Sequence, residues 1–584
     1  MAETIISPGV FQRENDLSFI SPAPVEVGAA IIGPTVKGPV EIPTTVTSYN
    51  QYVRIFGDIF ENGSAKDEFL TSIAVKNYFA QGGSTCIVTR LVSGSYTAAG
   101  NTHISASSNG GTEPFTLETI GKGAIFNNAT GSLEFAMPLA SHSNSDNSLI
   151  SGSSDNLRWE VSNVSNAKGT FTLSVRRGDD NHNNKVVLET FNNISLDPES
   201  ENFISKVIGD QTEAISGDAT QITTTGQFVN KSNYIRVKTV NSKTLNYLKT
   251  DGVSINSSSA GVPFNNFLPI AQSGSFFGAT GAPKASGSLN LYQNINANTQ
   301  GLVADNYSNV ITLLGNKDDY KFNIISAPGI NKNNHSTTVD NLISLAESRG
   351  DCIAVVDLYG HGATVSNVTG QADLLNSSYA SAYWPHVQTQ TGNGKNVFVP
   401  ASVVVPGVYA FTDNSSAPWF APAGLVRGGV VGVIQAERKL SRSQRDSLYD
   451  SNVNPIATFP GQGIAIFGQK TLQKKAGALD RVNVRRLLIE LKEFVGDLSR
   501  TLVFEQNTIA TRNRFLSAVN PFLNSVVQRQ GLYAYRVVMD DTNNTADVVD
   551  RNQLIGQIFI QPAKTAEFIV LDFTIEPTGA TFGQ

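Results

Sequence analysis

Residues Val482–Glu505 read VNVRRLLIELKEFVGDLSRTLVFE, and the spacing of their apolar residues decides how the chain is organised. Leu487, Leu488, Leu491, Phe494, Val495, Leu498 and Leu502 recur at helical intervals. Arg485, Arg486, Glu490, Lys492, Glu493, Asp497 and Arg500 take the other positions. That pattern predicts a helix with one apolar and one charged face. A second helical stretch follows, with Phe515, Val519, Leu523 and Val526 in register. Within it Asn520-Pro521 reads as a cap and first-turn proline, a kink or restart, and Gly531 as the end. Three strand-like runs come next, LYAYRVVMD, QLIGQIFIQP and AEFIVLDFTIE, separated by a DDTNN turn and a Pro-Ala-Lys link. Two helices on a small sheet form a compact α/β unit. Its last strand can pair at home or be lent to a neighbour.

Outward from this unit, residues 311–440 alternate strands and helices. YKFNIISAPGI is a buried strand ending in a Pro-Gly turn; Val339, Leu342, Ile343 and Ala346 mark a helix capped near Ser336 or Thr337 and ended by Gly350. DCIAVVDLYG is a central strand, and VFVPASVVVPGVYAFTD carries a strand and a helix start. Residues 25–94 show the same alternation: strand AAIIG, a helix capped by Ser48 or Asn50 and ending near Gly57, a helix over Phe69–Phe79, and strand TCIVTRLV. Residues 95–310 are different, rich in Ser, Asn, Thr and Gly. There FTLSVRR and KVVLETF flank GDDNHNN as a hairpin with a long polar tip, and SNYIRVKTV and SLNLYQNI read as strands. The prediction is a multidomain α/β fold. A β-rich outer insertion of one or two subdomains splits a central α/β domain, whose two parts must meet in space. Residues 441–565 form the C-terminal α/β domain, and 1–24 and 566–584 form extended arms.

At 584 residues the chain can bury a sizeable core, and its net charge of -6 argues against general nucleic-acid binding. Cys86 and Cys352 each sit in or beside an apolar run, so they read as buried free thiols. MAETIISPGV has neither the basic start nor the apolar core of a signal peptide, and no run approaches the roughly 18 apolar residues of a membrane span. These features predict a protein made and folded in a cytoplasm, without membrane insertion.

Several motifs resemble those of the tail sheath proteins of contractile-tailed bacteriophages, a family that includes the sheaths of phage-tail-like bacteriocins and injection systems. In the N-terminal part they are Pro8-Gly9-Val10, GPTVKGP (Gly33 to Pro39), Phe56-Gly57 and YFAQGGSTCIVTRL. In the centre they are Ala327-Pro328-Gly329, Tyr383-Trp384-Pro385, VVVPGVYAFTD and PWFAPAG. Towards the C-terminal part they are NVNPI, GQGIAIFGQKTL, VNVRRLLIELKEF, Gln530-Gly531 and DDTNNTADVVDRNQL; NISLDPESENF within the insertion is similar too. The chain departs from the family where Phe467 and Lys470 replace a common Trp and Arg.

The resemblance implies a structural subunit that stacks as hexameric rings around a tail tube in a myovirus virion, assembled in the host bacterial cytoplasm. Contraction would drive the tube through the host envelope for genome ejection. Baseplate and tail terminator proteins are implied partners; direct nucleic-acid contact is not. Two kinds of site are expected beside it. The arms, through Pro8, Gly9, Val10, Phe11, Phe568, Val570, Phe573 and Ile575, would add strands to neighbouring copies. A basic group at Lys474, Lys475, Arg481, Arg485 and Arg486 would meet the tube, or else pair with Glu490 and Asp497 inside its own domain.

The family's central domain is described as subtilisin-like, which makes Asp357 and His361 in DLYGHG candidates for a hydrolytic triad. No serine sits in a G-x-S-x-G elbow, so the expected domain lacks an active site and the chain is not read as an enzyme. His103, His142, His182, His335, His361 and His386 show no metal-ligand spacing, and Asp540-Asp541 with Asn543-Asn544 reads as a turn, so no metal or cofactor is expected. The competing readings are a subtilisin-like hydrolase and a static baseplate or fibre protein.

Overall fold

The computed structural model describes residues 28–62, 65–101, 113–127, 152–181, 183–281, 291–293 and 307–568. Its centre is an eight-stranded sheet. Across it the strands run Thr44–Val46, Cys86–Leu91, Gly28–Pro34, Phe322–Asn331, Ile353–Asp357, Ala380–Trp384, Val453–Phe459 and Gly463–Ile466. The six inner strands are parallel and the two outermost are antiparallel. The two separated parts of the chain meet at the sheet's middle, where Ala30 lies opposite Ile325.

Both faces of the sheet are covered, which is why GAAIIGP and ASAYW are buried at every position instead of alternating. One face packs against Leu70–Ala80, Val405–Ser415 and the start of Val482–Arg500, through Leu70, Ile73, Val408, Val482 and Ile489. The other packs against Tyr307–Leu313, Ser336–Arg349 and Val365–Ala372, through Val310, Val339, Leu342 and Val368. Gly28 permits this packing: a Cβ there would lie 1.9 Å from the Thr85 carbonyl oxygen. Arg90 is buried in the Cys86–Leu91 strand with its guanidinium on the carbonyls of Gly38 (2.7 Å), Lys122 (2.8 Å) and Val36 (3.3 Å). Those bonds fasten the root of the insertion to the central layer.

Several expectations need correction. The Phe322–Asn331 strand does not end at Pro328-Gly329 but runs through it, with Gly329 at φ 90. His335 is the N-cap of the next helix, directly before the expected Ser336. Within SLNLYQNI, Leu291 and Tyr292 are helical and buried against the central core. The central layer extends past residue 440 to Ile466, because Arg442–Asp450, Val453–Phe459 and Gly463–Ile466 complete its edge.

The insertion has its own core, built on Trp159, Phe171, Leu173, Phe115, Ile235 and Phe276. Its four-stranded antiparallel sheet includes the expected hairpin, Thr170–Arg177 with Val187–Ser195. The hairpin's tip is polar, but not all of it faces solvent. Asp180 turns inward, and its carboxylate accepts from Arg158 Nη1 (2.9 Å), Arg176 Nε (2.7 Å) and Nη2 (2.9 Å), and the Val186 N–H (3.0 Å).

In the C-terminal unit, helices Val482–Arg500 and Ile509–Gln528 pack through Leu487, Leu491, Phe515, Val519, Leu523 and Val526, with the Phe494 and Phe522 rings stacked at 3.7 Å. The second helix does not restart at Pro521, which lies inside it; the Tyr535 hydroxyl donates to the Asn520 carbonyl on that turn (3.0 Å). Gln530, not Gly531, takes the left-handed conformation at the helix end (φ 64), and the Gly531 N–H returns to the Val526 carbonyl (2.8 Å).

Strands Leu532–Val538 and Gln557–Pro562 form a two-stranded antiparallel sheet on these helices. DDTNN is not a tight hairpin turn but opens a longer connection through Ala546–Asp550. Buried Asn544 clasps that connection by exchanging hydrogen bonds with the Ile555 backbone (both 2.8 Å). Most of the third expected strand lies outside the described residues.

Candidate functional site

The long helix explains why the expected basic group does not form one surface. From Val482 to Leu487 every residue is buried, because this half of the helix is held between the central layer and the C-terminal unit. Arg485 and Arg486 are therefore internal, a correction to their reading as tube contacts. Arg485 lies over the Tyr379 ring (3.9 Å) and donates from Nε to the Ser378 carbonyl (3.1 Å). Arg486 pairs with Asp413 at 2.5 Å and lies over the Tyr409 ring (4.6 Å). The Tyr409 hydroxyl in turn bonds those of Tyr383 (2.6 Å) and Ser381 (3.0 Å) on a central strand. Burial pushes the Asp413 carboxyl up, and the Arg486 charge pulls it back. The partner is thus Asp413, not Glu490 or Asp497. This polar chain makes the long helix a strut between the two layers. Lys474 and Lys475 remain exposed, with Lys474 Nζ on the Asp373 carbonyl.

Arg481 has a different task. Its Nε donates to Glu567 (2.7 Å), whose carboxylate also accepts from Gln469 Nε2 (2.9 Å) and the Tyr449 hydroxyl (2.8 Å). Burial pushes this carboxyl up, but those three bonds bring it below its usual range. Lys470 Nζ lies over the Tyr449 ring (4.4 Å) and donates to the Tyr449 carbonyl (2.7 Å), and Phe467 packs on Phe459 (4.8 Å). The sequence departures at 467 and 470 are therefore both in contact with neighbours. Sequence reasoning placed Glu567 at the start of the C-terminal arm but missed its partners; its one signal was a carboxylate next to the apolar run Phe568–Leu571.

The small sheet is the open element. Among the described residues, each of its strands has one partner, so an edge of backbone donors and acceptors is exposed on either side. Tyr533 and Phe559 are exposed on it, and Phe568, the last described residue, is 79% exposed. Of the expected arm residues, Pro8, Gly9, Val10, Phe11, Val570, Phe573 and Ile575 lie outside the described residues.

Asp357 ends its strand in a buried pocket, but not in a triad. The Ser402 hydroxyl donates directly to one carboxylate oxygen and the Ser402 N–H to the other (3.1 Å), with no imidazole between. The His361 ring lies edge-on to the buried His386 ring (5.8 Å), whose imidazole burial pushes down to about 3. Ser402 is fully buried. Burial also pushes the Asp357 carboxyl up to about 7, despite the two bonds from Ser402. The folded chain therefore binds a proton that the unfolded chain releases near the ordinary aspartate value of about 3.9. Stability should accordingly fall as pH rises from about 4 to about 7, by up to about 1.4 kcal/mol per unit, and then level off. Urea midpoints at pH 5 and pH 8 should differ less in Asp357→Asn than in the natural protein; equal differences would contradict this.

Cys86 and Cys352 are both buried free thiols. Among the described residues no cluster of His, Cys, Asp or Glu could hold a metal ion, and no helix is long and apolar enough to cross a membrane.

Comparison with known proteins places this architecture in a class. Residues 300–472 match the profile of the phage tail sheath protein central domain, and residues 474–576 match that of the phage tail sheath C-terminal domain. Over that stretch the chain is similar to two successive domains of the phage tail sheath family. Among particular proteins, it is 36% identical to the tail sheath protein of Vibrio phage KVP40 over 236 residues, 40% of this chain and 35% of that one. It is 33% identical to the tail sheath protein of Enterobacteria phage T4 over 267 residues, 43% of this chain and 40% of that one. The chain thus spans well under half the length of these two relatives. In fold it is similar to a crystal structure of a sheath tail protein from Listeria innocua, with a TM-score of 0.50 at 11% identity. That likeness covers 92% of this chain and 96% of the other.

Proposed function

We propose that the chain is the structural subunit of a contractile tail sheath, polymerising as stacked hexameric rings around a tail tube and contracting to drive the tube through a host envelope. The observation that carries this is the succession of two sheath domains over residues 300–576, ending at a two-stranded sheet with open edges. The arms at Pro8 to Phe11 and from Phe568 through Val570, Phe573 and Ile575 add strands to the sheets of neighbouring copies. Each added backbone bond contributes only about 0.5–1.5 kcal/mol, so the lattice depends on many such links held at high effective concentration. Head-to-tail contacts of this kind do not close and so build a helical tube.

In this reading the central layer is an inert body, a hydrolase-like α/β scaffold in which Asp357 and Ser402 hold each other instead of a substrate. Lys474 and Lys475 are the remaining basic candidates for the tube, with baseplate and tail terminator proteins as end partners in the virion tail. Electron microscopy of the purified chain should show hollow tubes. Removing residues 569–584 should leave folded subunits that form none; tubes at undiminished yield from the shortened chain would contradict the proposal.

A further inference from the structure

The final strand-like run can complete its own sheet or another copy's, and the geometry of residues 562–568 bears on the choice. To pair at home, the chain would have to reverse within a few residues of Pro562 and run back beside Gln557–Pro562. It does not reverse. The Ala563 N–H donates to the Gly531 carbonyl (3.1 Å), so the chain continues straight past the start of the partner strand. Residues 563–568 then have no strand pairing. Two tie points follow, spaced by two residues so that both lie on one side of an extended chain. Thr565 Oγ1 takes a hydrogen bond from Gln469 Nε2 (2.5 Å), and Glu567 takes its three from Arg481, Gln469 and Tyr449. Tyr449 belongs to the helix at the edge of the central layer, and Gln469 and Arg481 to the link before the long helix. The root of the arm is thus fastened to a different layer from its own sheet.

Four residues separate Pro562 from Glu567, and the five steps between them reach at most about 18 Å. A return from Phe568 to the home strand would use about as many residues again, leaving almost none of 570–575 to pair. We propose that Glu567 is a positioning residue which bars the arm from its own open edge and commits it to the sheet of a second copy of this chain. The proposal rests on the sheath reading for the existence of the lattice, and adds the residue that decides whose sheet is completed.

The test uses the full chain carrying Phe559→Cys on the edge strand and Val570→Cys on the arm; the native Cys86 and Cys352 are buried. Oxidation of dilute protein, read on non-reducing gels, separates cross-links within a chain from those between chains. With Glu567 present, cross-links should join different chains. Adding Glu567→Ala should shift the ratio toward within-chain links by roughly tenfold or more, as expected for losing a charge-assisted cluster of hydrogen bonds. Glu567→Gln, which keeps the length and some of the bonds, should shift it less, and thermal melting shows that each variant folds. Within-chain links with Glu567 intact, an unchanged ratio in Glu567→Ala, or no cross-link in either form would overturn the proposal. Tubes that form while the links stay within chains would overturn it and leave the sheath reading standing. Between-chain links without tubes would support the positioning role and count against the sheath reading.

Discussion

Arg486→Ala should destabilise the subunit by about 3 kcal/mol, toward the lower end of the 3–5 kcal/mol expected when one partner of a buried ion pair is removed. The Arg486 side chain is only 3% exposed, whereas Asp413 keeps 24%, so water can relieve part of the stranded charge. The functional effect should exceed the loss of stability. Arg486 joins the long helix to Asp413 and Tyr409, and Tyr409 joins Tyr383 and Ser381 in the central sheet. Cutting that chain removes the strut through which a load on the C-terminal unit reaches the central layer. Urea titration measures the first effect, and the yield of ordered tubes below the melting temperature measures the second. The double variant Arg486→Met with Asp413→Leu, which removes both charges of the pair, should recover most of the stability. A single variant as stable as the natural protein would contradict the burial argument.

The second large effect is expected in the insertion. Asp180 has a side chain with no exposure, and the guanidiniums of Arg158 and Arg176, 3% and 1% exposed, converge on it. Asp180→Ala should cost the insertion about 3–5 kcal/mol. Arg176 retains Glu160 at 2.9 Å, but that carboxylate is already shared with Lys185. The insertion has its own hydrophobic core, so the loss should stay local. Calorimetry should resolve an early transition, and limited proteolysis should cut within residues 152–281 first. Tube formation at a temperature below that transition should be unchanged, and its loss there would mean that the insertion is part of the lattice.

How far the sequence speaks depends on whether a signal is local. A cap at Ser48 or Asn50 and a helix end near Gly57 were readable because capping is a matter of a few adjacent residues, and the structure selects Ser48 and Gly57. Buried parallel strands such as IAVVD were readable as unbroken apolar runs. The burial of Arg485 and Arg486 was not, because charges at helical spacing read as a wet face unless something covers them. Here both faces of the helix's first half are covered, and the covering elements are distant in sequence: Asp413 is 73 residues away.

Asp180 reads as part of a polar tip for the same reason; nothing in GDDNHNN shows which carboxylate turns inward. The central boundary at 440 fell short because Pro455 interrupts the apolar run of one strand after it and glycines precede the other, although both finish a sheet begun at Gly28. The partners of Glu567 could not be read, since all three come from distant stretches of the chain. The family motifs were legible because they are strings of residues, and the matched domains over 300–576 include many of them.

The central claim, a sheath with two lattice states, is tested most directly by electron microscopy of the polymer formed alone and formed on its tail tube. The account predicts hollow tubes in both, wider when assembled alone and narrower with a longer axial repeat when built around the tube. Tubes of one diameter and one repeat in both preparations would contradict it and describe a static coat.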